Sequence, residues 1–418
     1  MSPTFLIGII ILTGFLLGEL ASTVRLPKVT GYIVAGILLN PSLTGFVPHD
    51  FVDSTSIVTN ISLSLITFSV GGSLYLPQVR RLGKGIIYIT VFEAEVAFLV
   101  VIAGFLLLSR YVLSGSSLRF VEIFIPVSLF MGALASPTDP SATLAVTHEY
   151  HAKGDVTSTI MGVAAFDDAL GIINYSFAVV LATMFALHTS FDVVESIAKP
   201  LGVVAASLVV GGAAGVIFNL MNRFFHNISE GLLLVMLVGS LFACFGVSHT
   251  LGLDELLSTM TMGAVVVNLN PRRQVIFRIL ERYTEQLIFV LFFTLSGMHL
   301  DFKILLENLP LVLVFIVLRT GGKFGGSVTG AVLAGSSDRI RKYTFGGLLP
   351  QGGIVIGLAL LIADNPAFAA ISPIVLNVVI GATVIHELIG PIVSKTALQR
   401  AGEIPATVTA RPPTAKSD

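Results

Sequence analysis

The chain is poor in charge and almost without sulfur chemistry. Of its 418 residues, 12% are Asp, Glu, Lys or Arg, about half the share found in soluble domains. It has no tryptophan and one cysteine. Cys244 has no intrachain partner, so no disulfide framework exists and no redox compartment is indicated. Any aromatic belt at a membrane face must be built from Tyr and Phe. The net charge of -1 offers nothing to a nucleic acid. There is no Walker motif, metal-ligand spacing, dinucleotide glycine fingerprint or nucleophile triad. The chain is therefore expected to be no enzyme, to carry no cofactor and to hold no regulatory nucleotide-binding domain within these residues. The N-terminus lacks a basic n-region and a small-residue cleavage site, so residues 3–24 read as a retained span and not as a signal peptide.

What is present is apolar: 54% hydrophobic residues and a mean hydropathy of +0.91. Thirteen apolar runs are read, at 3–24, 29–47, 54–76, 85–108, 120–147, 157–186, 196–220, 230–249, 255–269, 283–300, 309–335, 343–363 and 370–394. About 20 residues cross a hydrocarbon core, so the second and ninth are tilted or partly re-entrant. When the connecting loops are numbered alternately, one side collects eighteen of the 24 Lys and Arg and the other collects four, while Arg319 and Lys323 fall inside a run. The positive-inside rule places the eighteen in the cytoplasm. The expectation is an all-α polytopic protein of the cell (inner) membrane, N-terminus outside and C-terminus cytoplasmic. Its membrane domain spans 1–400, followed by a polar, Pro-rich, disordered tail at 401–418.

Two runs are interrupted. The fifth contains Ala135-Ser136-Pro137-Thr138-Asp139-Pro140, and the twelfth contains Leu349-Pro350-Gln351-Gly352-Gly353. Proline removes a backbone donor and clashes with the preceding turn. Unwound backbone at membrane depth survives only where protein or a water-filled cavity covers it. The breaks lie about half the chain apart, each in the run before a long apolar helix. Matched breaks point to an inverted-repeat transporter with its site near the midplane. Repeat one is then about 3–186, a linker helix about 196–220 and repeat two about 230–394.

In the helix after the first break, Asp167 and Asp168 lie adjacent near the centre of a spanning run. One carboxylate at that depth costs roughly 2.5–3.5 kcal/mol, and two demand a function: an ion or proton site. Lys323, in the middle of 309–335 and flanked by Gly321, Gly322, Gly325 and Gly326, is too deep to snorkel to either surface. It needs a carboxylate or helix C-terminal carbonyls. Asp167 and Asp168 are the deepest acids available, with Asp139 next. Arg319, one turn away, has either a direct site role or a place in a water-filled vestibule. Glu93 and Glu95 are placed in the first turns of their run, interfacial or paired with Arg80, Arg81 or Lys84. His148 and His151 are placed in a solvated loop, and His249 at an interface near Asp254. His386 and Glu387, deep in the last run, are either a functional polar pair or a satisfied helix–helix contact.

A carboxylate pair beside a buried lysine titrates as a coupled set, and protons compete with a small hard cation for the same oxygens. A site that must be protonated or cation-loaded before it crosses gives obligatory exchange, and two carboxylates let two protons exchange for one cation. Two other readings stand beside this one. A sodium-coupled organic-anion symporter needs an anion-binding cavity, for which Arg319 is the one obvious donor. A channel is disfavoured because a tight mid-membrane acid site binds too strongly to conduct fast.

Thr138-Asp139-Pro140 in a broken helix, Phe166-Asp167-Asp168 in the next and Lys323 five runs later resemble the monovalent cation/proton antiporters. The likeness is greatest to the branch of the electrogenic NapA-type sodium/proton exchangers and the Kef-type potassium systems, within the superfamily that includes NhaA. Leu26 to Gly36, Phe292 to Met298 and Pro350-Gln351-Gly352-Gly353 carry lesser resemblances along the whole chain. The resemblance implies thirteen transmembrane helices in two inverted six-helix repeats with two crossed broken helices. It implies exchange of Na+, K+ or Li+ for protons, with Asp168 binding the cation and carrying the proton. Asp167 would be the second acid, paired with Lys323 when no cation is bound. Thr138 and Asp139 would sit at the crossing, with Asp139 offsetting the positive half-helix ends. It further implies a homodimer built partly on the N-terminal helix 3–24. Two departures are visible. Ser73 stands where many relatives carry an acid, and the Asp-Asp pair and missing nucleotide-binding tail differ from Kef-type channels.

Overall fold

The computed structural model describes residues 2–112, 120–187, 198–225, 229–298, 306–363 and 365–405. Arg119, Lys303, Arg411, Lys416 and the tail beyond residue 405 lie outside the described residues. Every regular element among the described residues is helical. In chain order the main helices are α1 (Pro3–Thr23), α2 (Lys28–Leu39), α3 (Ser56–Gly72), α4 (Leu76–Val112), α5 (Ile125–Ala135), α6 (Pro140–Glu149), α7 (Asp155–Leu187) and α8 (Lys199–Phe224). They continue as α9 (Glu230–Thr250), α10 (Glu255–Leu269), α11 (Arg273–Leu280), α12 (Gln286–Met298), α13 (Leu309–Leu333), α14 (Asp338–Gly347), α15 (Gly353–Ala363) and α16 (Ser372–Arg400). Within the described residues, each of the apolar runs lies mainly on helix. Among the described residues, eight helical segments are long and apolar enough to cross a membrane by length and composition.

Local chemistry sets the ends. Ser2 caps α1, its hydroxyl accepting from the Phe5 N–H at 3.3 Å, with Pro3 in the first turn. Asp254 caps α10, accepting from the Leu257 N–H at 2.6 Å. Asp139 caps α6, accepting from the Ser141 N–H at 2.8 Å and its hydroxyl at 2.5 Å. Pro137 and Pro140 thus separate α5 from α6, and Pro350 separates α14 from α15.

The helices pack as two bundles. One gathers α1, α2, α3, α8, α9, α10 and α12; the other gathers α4, α5, α6, α7, α13, α14, α15 and α16. The most extensive pair is α4 with α13, and glycines explain its closeness. A Cβ at Gly326 would lie 2.2 Å from the Phe92 carbonyl oxygen, and one at Gly322 would lie 2.7 Å from the Ala97 Cα. Only bare backbone fits there, so α13 seats directly on α4 as small residues permit in membrane packing.

Residues 401–405, expected to open a disordered tail, are packed against the fold. Ala401 and Ile404 are buried. The Glu403 carboxylate accepts from the backbone N–H of Val156 at 2.8 Å, the N–H of Thr157 at 2.7 Å and the Thr157 hydroxyl at 2.6 Å. The Lys153 N–H donates to the Glu403 carbonyl at 2.9 Å. A carboxylate on unsatisfied first-turn donors is favourable, so residues 401–405 clasp the start of α7.

Candidate functional site

The two breaks cross one another. The Asp139 N–H donates to the Pro350 carbonyl at 3.0 Å, the Gln351 side chain to the Leu134 carbonyl at 2.9 Å, and the Thr143 hydroxyl to the Gly347 carbonyl at 2.8 Å. Each break exposes a helix C-terminus with orphan carbonyls and a helix N-terminus with orphan N–H groups. Both kinds of end are answered by side chains.

Arg319 answers the C-terminal ends. Its guanidinium donates to the carbonyls of Leu349 at 2.8 Å, Pro137 at 2.9 Å and Ala135 at 3.2 Å. The side chain is fully buried, so the vestibule expected as one alternative is not its place. A planar fork with five donors suits three converging carbonyls better than an ammonium would. Asp139 serves the N-terminal ends. Its Oδ1 caps α6, and a Cβ on Gly352, just before α15, would lie 2.1 Å from its Oδ2. Gly352 is thus required for α15 to start against this carboxylate.

Beside the crossing lies a fully buried ion cluster. Lys323 Nζ donates to Glu93 Oε2 at 2.8 Å and Oε1 at 3.1 Å, to Thr138 Oγ1 at 2.7 Å and to Asp167 Oδ2 at 3.2 Å. Thr138 Oγ1 in turn donates to Asp167 Oδ2 at 2.5 Å. The three ammonium protons therefore have three partner residues, two of them anionic. This corrects the expectation for Glu93, which is neither interfacial nor paired with Arg80, Arg81 or Lys84; Arg81 pairs with Asp155 instead. The apolar run starting at residue 85 understates the helix. α4 begins at Leu76, with Pro77 in its first turn, so Glu93 lies about 25 Å along it at 1.5 Å per residue. A proline start signal at residue 77 was the clue that the hydropathy run passed over.

Asp168 projects elsewhere, because successive helix residues diverge by about 100°. It lines a cavity of about 20 Å³ together with Thr67, Thr138, Asp139, Ser141 and Gly352. That is room for about one water. Asp168 Oδ1 and Asp139 Oδ2 are buried and have no partner. Two unsatisfied carboxylate oxygens and hydroxyls in so small a space match the hard-oxygen donor set of a small cation. Thr67, on α3 in the other bundle, bonds Thr259 of α10 at 2.7 Å, so the cavity sits where the two bundles meet. Sequence reading missed Thr67, and one threonine in an apolar helix gives no signal.

His386 and Glu387 bond different partners. The His386 ring bonds Gln351 Oε1 at 2.9 Å and so braces the second break, whereas Glu387 accepts from the Ser296 hydroxyl of α12 at 2.8 Å. His148 is not in a solvated loop: it lies in the last turn of α6 and pairs with Glu285. Glu387–Ser296 and His148–Glu285 both join the two bundles. His249 is exposed and pairs with Glu255 at 2.6 Å.

With this geometry in place, comparison with known proteins is informative. An ammonium/proton antiporter subunit, AmhT, of Alkalihalophilus pseudofirmus is 22% identical over 370 residues, 88% of each chain. A Na+/H+–K+ antiporter, GerN, of Bacillus cereus is 21% identical over 363 residues, 85% of this chain and 86% of the relative. The fold is similar to that of the sodium/proton antiporter MjNhaP1 from Methanocaldococcus jannaschii. The TM-score is 0.71 at 19% identity, over 96% of this chain and 98% of the other. Residues 8–400 match the model of the transmembrane sodium/hydrogen exchangers. Since that match takes in both broken helices, the buried ion cluster and the cavity, the chain belongs to the sodium/hydrogen exchanger family.

Proposed function

We propose that the chain exchanges a monovalent cation, Na+ with K+ and Li+ as competing cargoes, for protons by alternating access, and that the exchange is electrogenic as in the NapA-like branch. The carrying observation is the cavity at the crossing, where Asp168 and Asp139 each present an unpartnered oxygen. Either a cation or protons satisfy those oxygens, and an unoccupied ionised site is too costly to cross. Occupancy by one or the other is the condition for movement.

The roles follow from position. Asp168 binds the cation or a proton, Asp139 and Thr138 complete the site, and Asp167 is the second acid, released from Lys323 when a cation arrives. Glu93 stays on Lys323 throughout, so the lysine remains paired and charged when Asp167 turns away. Arg319 holds the broken ends as a rigid frame. His386 supports that frame, and Glu387 links the moving bundle to α12.

Several features support the wider architecture of this reading: thirteen crossings in two inverted six-helix repeats. α5–α6 and α14–α15 correspond as broken helices, α7 and α16 as the helices after them, and α4 and α13 as the helices before. The loops meet at one basic end: Lys395 donates to the Arg25 carbonyl, the Lys28 N–H donates to Glu149, and Arg81 pairs with Asp155. That end is assigned to the cytoplasm of a cell-membrane protein. α1 leaves Leu12, Phe15, Leu16 and Leu20 exposed, a stripe suited to a second copy in a homodimer. The organic-anion symporter fares worse, because Arg319 is spent on three carbonyls and the cavity has room for about one water.

Reconstitution into proteoliposomes with an internal pH dye tests the proposal. Adding Na+ outside should move the internal pH. Asp168→Asn, which keeps size and hydrogen bonding but carries neither proton nor charge, should abolish the response while remaining folded. Near-normal exchange by this variant would refute the site.

A further inference from the structure

A second polar cavity, far from the exchange site, has the composition of a headgroup site. At the basic end, α8 and α10 finish side by side, and a space of about 550 Å³ opens between Asn219, Asn222, Arg223, Asn270 and Arg272. Three asparagines form its inner wall. Asn270 Nδ2 donates to Asn219 Oδ1 at 2.7 Å, Asn222 Nδ2 donates to Asn270 Oδ1 at 3.0 Å, and the Arg272 N–H donates to the same Oδ1 at 2.8 Å. This network consumes some of the polar atoms and strands others. Arg272 Nη1, Asn219 Nδ2 and Asn222 Oδ1 are buried without a partner, and Asn222 is 3% exposed. Buried polar groups without partners are costly enough that each calls for an explanation.

The stranded atoms define the chemistry of the missing partner. Arg272 Nη1 and Asn219 Nδ2 are donors and call for an acceptor. Asn222 Oδ1 is an acceptor and calls for a hydroxyl. Among the described residues, no acidic side chain lines the cavity. The partial negative charge of two helix C-termini, about half an elementary charge each, is outweighed by two full guanidinium charges. Arg273 is not available to a ligand, since it donates to the Tyr75 hydroxyl at 3.0 Å. The outer wall is apolar: Leu220 and Leu269 line the same cavity and are 60% and 66% exposed. A soluble anion has no use for that wall, and an acyl chain does.

We infer that this cavity binds the headgroup of an anionic glycerophospholipid of the phosphatidylglycerol class, its phosphate on Arg223, Arg272 and Asn219, its glycerol hydroxyl on Asn222 Oδ1 and its acyl chains along Leu220 and Leu269. Basic pockets between spanning helices at the cytoplasmic side are a recurrent form of lipid recognition. The site stands independently of the exchange chemistry.

The test uses the purified, delipidated full chain in detergent. Thermal stability and lipid retention in native mass spectrometry are compared for phosphatidylglycerol, phosphatidylcholine and soluble glycerol phosphate. Phosphatidylglycerol alone should be retained and should raise the melting temperature. Arg223→Gln with Arg272→Gln should weaken retention roughly 25-fold, about fivefold for each arginine, whereas Arg339→Gln with Arg341→Gln, an equal loss of charge elsewhere, should not. Should the first pair fail to fold, Asn219→Leu fills the cavity without changing charge and should lose retention as well. Equal retention of phosphatidylcholine overturns the inference. Equal stabilisation by soluble glycerol phosphate overturns it too, as does unchanged retention in the cavity variants.

Discussion

Glu93→Gln tests whether Lys323 has a standing counter-ion. In the wild type, Lys323 divides its attraction between Glu93, at 2.8 and 3.1 Å, and Asp167, at 3.2 Å, with all three fully buried. Glutamine keeps the shape and one acceptor but removes the nearer charge. Breaking a buried pair by removing one partner costs roughly 3–5 kcal/mol. Because Asp167 remains, the lower end of that range is expected, seen as a clear fall in melting temperature. The second effect is on exchange. Lys323 now leans wholly on Asp167, and in the proposed exchange an incoming cation must pull that carboxylate away. Strengthening the hold by only about 1.4 kcal/mol raises the KM for the cation about tenfold. The prediction is a KM at least tenfold higher for Na+ with a smaller change in maximal rate, and partial recovery in Glu93→Asp. Flux in proteoliposomes across a range of Na+ concentrations gives both numbers. If Glu93→Gln melts earlier yet keeps its KM, the residue is a packing partner only and the standing counter-ion is refuted.

Lys323→Gln orphans two buried acids, so it should lower the melting temperature, and adding Glu93→Gln or Asp167→Asn should each restore part of the loss; additive losses in a double-mutant cycle would refute the shared cluster. Arg319→Lys keeps the charge but not the fork, so at least one of the three broken-helix carbonyls loses its donor; stability should drop by about 1–3 kcal/mol in chemical unfolding, and an unchanged midpoint would argue against the frame. Burial pushes the Asp254 carboxyl up to about 6. Its protonated form is therefore favoured in the fold: the stability this gives is full below the ordinary carboxylate range and is lost as pH rises through about 6. Asp254→Asn should flatten that part of a melting temperature–pH profile and leave the α10 cap in place.

Much of this fold was visible in one dimension, because helix-forming apolar runs and proline breaks are local. α10 begins and ends where its apolar run does, and Asp167 lies against Thr138 and Lys323 beside the crossing of the two breaks, with Asp168 turned into the neighbouring cavity. What escaped were partners. Glu93 and Lys323 are 230 residues apart, and their meeting depends on how closely α13 seats on α4, which the row Gly322, Gly326, Gly330 decides. The depth of Glu93 also depends on a helix that begins before Arg80, Arg81 and Lys84, charges that make a hydropathy run start late. Arg319 was ambiguous for a similar reason. A buried arginine needs acceptors, and its acceptors are backbone carbonyls of two other helices, which side-chain identities do not record.

The Glu403 clasp has a mechanical consequence. Its three hydrogen bonds lie on the first turn of α7, the helix that carries Asp167 and Asp168 some twelve residues on. A pull on the chain beyond Pro405, from a tether or a bound protein, would reach Glu403 before it reached α16. Tension there would be borne by the N-terminal turn of α7 in the direction that uncaps it. Residues 401–405 are therefore a handle on the helix that carries the proposed ion-binding carboxylates, and a weight hung from them would be felt at the crossing of the breaks.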